Sequence, residues 1–100
     1  MENEKTTEEL VEMFIGNVEA TKAHKTLMIT VDALLDDKFT EKLPIIHPKE
    51  TFLTCIMGYF EYIEDYETCA DIQTKKEKIL EKLVVHDDLI AILDKLKDRL

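Results

Sequence analysis

The chain has little of what loops are made from. Two glycines and two prolines in 100 residues leave scant material for irregular connections or hairpin turns. Gly16 and Gly58 are the only glycines, so there is no glycine-rich loop to cradle a phosphate. No apolar run approaches the ~20 residues a spanning helix needs, and the charged fraction of 35% excludes a membrane protein. The N-terminus, Met1-Glu2-Asn3-Glu4-Lys5, is acidic and lacks the basic-then-apolar order of a signal peptide, so a cytoplasmic setting is expected. Cys55 and Cys69 are a single pair. A reducing compartment and the lack of any signature around them make them small buried hydrophobes rather than a disulfide or a nucleophile.

Basic residues are scarce where they would matter most. None occurs between Lys49 and Lys75. The formal charge is −9 with a pI near 4.7. That argues against direct nucleic-acid binding, which needs a basic face, and suits steering toward basic protein surfaces.

One hundred residues make one domain, spanning 1–100 with 1–5 frayed. Thr6 caps a first helix, with Glu9 placed as in a capping box, and Leu10, Val11, Phe14, Ile15 and Val18 form its apolar face. Gly16 lies in this pattern, a place for close approach by another helix. Met28, Val31, Leu34 and Leu35 put residues 25–37 in a helix. A strand at 26–31 would have no partner to pair with. That helix ends poorly, because Asp36 and Asp37 oppose the negative pole. A short helical turn is expected at Phe39–Leu43.

Pro44-Ile45-Ile46-His47-Pro48 is the clearest break. Pro48 suits the first position of the next helix, whose stripe of Phe52, Leu53, Ile56, Met57, Phe60 and Ile63 runs to about Tyr62. A tight acidic turn follows, then a helix from about Tyr66 to Leu83. Its stretch Lys75–Lys82 reads as a mixed-charge face toward solvent. Val84-Val85-His86 is a connection. Asp87 caps a last helix striped by Leu89, Ile90, Leu93, Leu96 and Leu100. The fold expected is all-α: a single bundle of four to five short helices around a central antiparallel helical hairpin.

The hairpin is the richest segment. Tyr59, Tyr62 and Tyr66 stand among Glu61, Glu64, Asp65, Glu67 and Asp71. Tyrosine offers large contact area at low entropy cost, and the carboxylates suit an Arg/Lys-rich patch on another protein. An ordinary solvated helix end would look the same. No catalytic signature accompanies the segment. His24, His47 and His86 lie in three separate segments, and His86-Asp87-Asp88 reads as a helix start rather than a metal site. No cofactor and no metal are expected.

Residues 51–83 resemble the UVR motif, a short antiparallel helical hairpin at the end of a bacterial excision-repair helicase subunit and in some protease-chaperone adaptors. Asp65-Tyr66-Glu67 matches its turn, Cys69-Ala70 its small pair and Ile72 its aliphatic position. The motif's Arg-Asp pair is replaced by Gln73-Thr74, and Phe60 and Glu61 stand where its first helix has small residues. The resemblance implies a hairpin that docks on proteins. It implies no role in DNA repair.

The function expected is a small acidic, non-enzymatic interaction module, a regulator or accessory protein of a bacterium or phage that docks on a basic surface of a partner protein. The alternative is a nucleic-acid mimic that inhibits a DNA- or RNA-binding enzyme. Two further readings are a small enzyme with buried carboxylates and a homodimer built through Leu89, Ile90, Leu93 and Leu96.

Overall fold

The structure is a computed structural model in which residues 6–98 are described, without the side chains of Asp88, Leu89 and Ile92. The element order is α1 (Thr7–Thr21), α2 (His24–Leu35), β1 (Leu43–Ile45), α3 (Lys49–Tyr62), α4 (Tyr66–Thr74), α5 (Lys76–Lys82), β2 (Leu83–Val85) and α6 (His86–Asp98). The described residues are all-α apart from two three-residue strands.

α3 is the central element. Leu53, Ile56, Tyr59 and Phe60 recur at the spacing of one helix face and are buried. α1 lies along α3, with Phe14 set edge-on to Phe52 at 6.2 Å between ring centroids. α4 returns antiparallel and inserts Ile72; α5 adds Ile79 and β2 adds Leu83. Val31 and Leu34 of α2 close the core, where α2 packs on α5.

Glycine is not used where helices turn. α1 ends on Lys22 at φ 55°, with the Ala23 N–H donating to Val18 O and the Lys22 N–H to Glu19 O. α3 ends the same way on Glu64 at φ 63°, with Asp65 N–H donating to Phe60 O and Glu64 N–H to Glu61 O. Both are Schellman ends, in which a left-handed residue lets two amides satisfy orphan carbonyls. α1 and α2 are therefore separate helices, divided at Lys22–Ala23. Close approach occurs not at Gly16, which has nothing near its missing Cβ, but at Gly58. A Cβ there would lie 2.5 Å from Val11 Cγ1 on α1.

Five local expectations are corrected. Residues 39–42 are not helical, and Leu43–Ile45 pairs in parallel with Leu83–Val85 in the register Leu43↔Leu83. Val84 and Val85 are thus a strand rather than a plain connection, and α6 begins at His86, so Asp87 is not its cap. Pro48 stands just before the first residue of α3. The helix expected from Tyr66 to Leu83 divides at Lys75, where ψ swings to 16°. The bundle consequently counts six described helices. Leu100, expected in the stripe of the last helix, lies outside the described residues, as does the side chain of Leu89.

The division at Lys75 has a use. Lys75 Nζ donates to Leu35 O at 2.9 Å, and Lys82 Nζ donates to Leu34 O at 2.9 Å and to Asp36 O. Two ammonium groups thus sit on the negative pole of α2, which its own acidic ending could not neutralise. Lys75 and Lys78 also hold the Asp37 carboxyl below its ordinary pKa. These lysines are therefore not merely a solvated face. Lys82→Ala should cost about 1–2 kcal/mol, the worth of charge-assisted bonds to carbonyls that would otherwise lose their partner. A fall in the urea midpoint with an unchanged slope would register it, whereas Lys76→Ala should leave the midpoint in place.

Candidate functional site

The three tyrosines of the hairpin have different fates. Tyr59 is 4% exposed, whereas Tyr62 is 55% and Tyr66 61% exposed. Tyr59 points inward because it continues the apolar face of α3. Its ring meets Phe60 edge-on at 5.3 Å, and its hydroxyl is 2.7 Å from His24 Nδ1 at the start of α2. Burial pushes its phenol pKa up, and the Glu19 carboxylate adds to the shift. Tyr59 is thus a core residue and lies outside any contact surface.

Tyr62 donates to Glu19 Oε2 of α1 at 3.2 Å, and this bond raises its pKa. Asp65 is spent locally. Its carboxylate accepts from the Thr68 N–H at 3.2 Å and from the Thr68 hydroxyl at 2.7 Å, capping α4. Glu61, Glu64, Glu67 and Asp71 are exposed. Cys69 turns toward α3, where its Sγ lies 3.3 Å from Met57 O, while Ala70 is exposed. Only the first of the small pair therefore serves close helix approach. Both cysteines are free. Burial raises both thiol pKa values, and for Cys69 the carboxylates of Glu61 and Asp65 add to it. That effect marks a negative potential at this corner.

Tyr62, Tyr66 and Glu61 come together on a groove of about 720 Å³. Its floor is α3, through Leu53, Met57 and Gly58. One wall is α1, through Thr7, Glu8, Val11 and Glu12. The other is α4 and the start of α5, through Tyr66, Gln73 and Lys76. From Leu53 to Tyr62 the floor runs about 13 Å at ~1.5 Å per residue. Glu8 and Glu12 are four residues apart, so they share one face of α1 and line the same edge. With Glu61 they set three carboxylates against the single ammonium of Lys76.

The groove exists because Gly58 and Val11 bring α1 and α3 together at its base. Sequence reading missed Glu8, Val11, Glu12, Met57 and Gly58 as site residues. The i, i+4 spacing of Glu8 and Glu12 beside Val11 was a signal, but nothing local says that this edge of α1 faces α3. Glu64, Glu67 and Asp71 stand outside the groove lining.

Among the described residues no charged side chain is buried, and no cluster of three or more His, Cys, Asp or Glu could hold a metal ion. No described helix is long and apolar enough to cross a membrane. No protein-family model, curated protein or solved structure matches the chain.

Proposed function

We propose that this protein is a small non-enzymatic interaction module whose groove between α1, α3 and α4 docks a basic segment of a partner protein. The observation that carries the reading is an apolar floor edged by Glu8, Glu12 and Glu61 and overhung by the exposed rings of Tyr62 and Tyr66. Apolar contact supplies affinity, carboxylates select Lys/Arg and speed encounter, and tyrosine anchors the rim. The hairpin of α3 and α4 is the part that resembles UVR-type docking elements. A regulator or accessory protein acts in this way, by occupying a surface rather than by turning over a substrate. A phosphate-backbone mimic is favoured less. Lys76 interrupts the groove, and Lys75, Lys78 and Lys82 lie near it in the chain.

Affinity capture with the intact chain, repeated with Tyr66→Ala and Glu61→Lys, tests the reading. Both positions are exposed, so folding should survive, with helical circular dichroism as the check. Cross-linked peptides from the captured protein should be rich in Lys/Arg. Both variants should lose at least about tenfold in retention, and wild-type retention should fall steeply with salt. Equal capture by wild type and both variants, or contact peptides without basic residues, would refute it.

A further inference from the structure

The groove is built from helices alone. Every residue that lines it lies in α1, α3, α4 or at the start of α5. Along the floor from Leu53 to Gly58, α3 is unbroken, so its amides and carbonyls are spent inside the helix. An incoming chain therefore finds no ladder of free N–H and C=O groups there, as a sheet edge would supply. Side chains do not replace the ladder. Among the hydroxyls of the lining, Thr54 donates to Glu50 O at 2.8 Å and Tyr62 to Glu19 Oε2 at 3.2 Å. Between the walls lie Val11, Met57 and Gly58. An extended segment laid on them strips water from its peptide groups and gives them nothing in return. A helix arrives with those groups already bonded to one another.

Length and charge fit the same form. Apolar side chains at i and i+7 of a helix stand about 10.5 Å apart, within the ~13 Å of the floor. A stripe at i, i+3, i+4 and i+7 thus fills it. The charges are unevenly placed. Glu8 and Glu12 both stand on α1, and Lys76 is on the opposite wall. A helix between the walls therefore matches them with cations on one flank only.

We infer that the segment this groove takes up is an amphipathic helix of a partner protein, laid on α3 between α1 and α4, with its apolar stripe on Val11 and Met57 and lysine or arginine on the flank that faces Glu8 and Glu12. The inference rests on the reading of the groove as a docking surface and adds to it the form of the partner. A basic loop or an extended basic tail is excluded, whatever its charge, because the floor cannot satisfy its backbone.

The test uses two end-capped probe peptides of leucine, lysine and glutamine, identical in composition and about 15 residues long. One places leucine at i, i+3, i+4 and i+7 with lysine on a single flank. The other alternates leucine with polar residues. At that length the first is only partly helical when free, so helix gained on binding is visible. Fluorescence anisotropy with the intact chain, at about 0.15 M salt, should show the helical isomer binding at least about tenfold tighter than the alternating one. Far-UV circular dichroism of the mixture should exceed the sum of its parts, and a proline at the centre of the helical isomer should weaken it about a hundredfold. Glu8→Lys with Glu12→Lys should weaken it at least about tenfold. Glu64→Lys with Asp71→Lys makes the same charge change outside the groove lining and should alter binding less than about twofold. All four positions are exposed, and circular dichroism checks that the variants fold. Equal affinity for the two isomers, or tight binding without gained helix, overturns the inference. So does an equal loss in the two double variants, which means attraction by net charge alone. So does a helical isomer that does not bind. Tighter binding of the alternating isomer that Glu61→Lys abolishes overturns the helical form and leaves the docking function standing.

Discussion

Phe60→Ala is expected to remove about 3–5 kcal/mol of stability, the usual cost of emptying a fully enclosed aromatic site. Phe60 is 0% exposed and sits among residues drawn from most elements of the core, with the Tyr59 ring edge-on beside it. No neighbour can collapse into the space without pulling a helix with it, so a cavity term adds to the lost transfer energy. Against a native margin of about 5–15 kcal/mol, this is the difference between a folded and a largely unfolded chain at moderate denaturant. At about 4–8 °C per kcal/mol for a domain of this size, the melting temperature should fall by roughly 12–40 °C. Tyr62→Ala, two residues on, should stay within about 0.5–1 kcal/mol, because that ring is mostly in water and gives up only its bond to Glu19. Thermal melts of the two variants side by side decide the matter. Similar losses at 60 and 62 would contradict the orientation of α3 and, with it, the placement of the groove.

That contrast shows what the pattern of residues could and could not convey. The 3.6-residue period made the helices legible, and it identified Phe60, Ile56 and Leu53 as one inward face. Tyr59 falls on the same face by that period, yet its hydroxyl made it look like surface. What overrode the expectation was a partner from another element, His24, whose ring nitrogen satisfies the hydroxyl. The turns were less legible for a related reason. Lys22 and Glu64 take left-handed backbone that glycine would have advertised, so α1 and α3 end without a sequence marker. The pairing of β1 with β2 joins segments 40 residues apart along the register. Three-residue strands carry no period of their own, and each looked like a connection. The break at Lys75 was equally hidden, since it coincides with a bond from the Lys75 side chain to Leu35 O on α2, far away in the chain. The candidate site shows the same division. Glu61, Tyr62 and Tyr66 were found because they lie close together in the chain. Glu8 and Glu12 reach them only through the packing of α1 on α3.

That packing carries the second large effect. Gly58→Leu should cost about 3 kcal/mol, the upper part of the usual range for forcing extra atoms into a close contact. A Cβ at 58 already lies 2.5 Å from Val11 Cγ1, and valine in a helix is held almost entirely in one rotamer, so the methyl has nowhere to swing. α1 must move off α3, and the base of the groove opens. Gly58→Ala sets two effects against each other. The helix gains about 1 kcal/mol of propensity, while the overlap with Val11 costs about 1–3 kcal/mol, so the net should be a loss. Val11→Ala removes the clashing methyl. In that background Gly58→Ala should become neutral or stabilising, which gives a coupling energy of about 1–2 kcal/mol in a double-mutant cycle. Urea denaturation of the four proteins reads it directly. Strict additivity of Val11→Ala and Gly58→Ala would mean that the two helices do not touch at this point, and the acidic groove that rests on their contact would lose its floor.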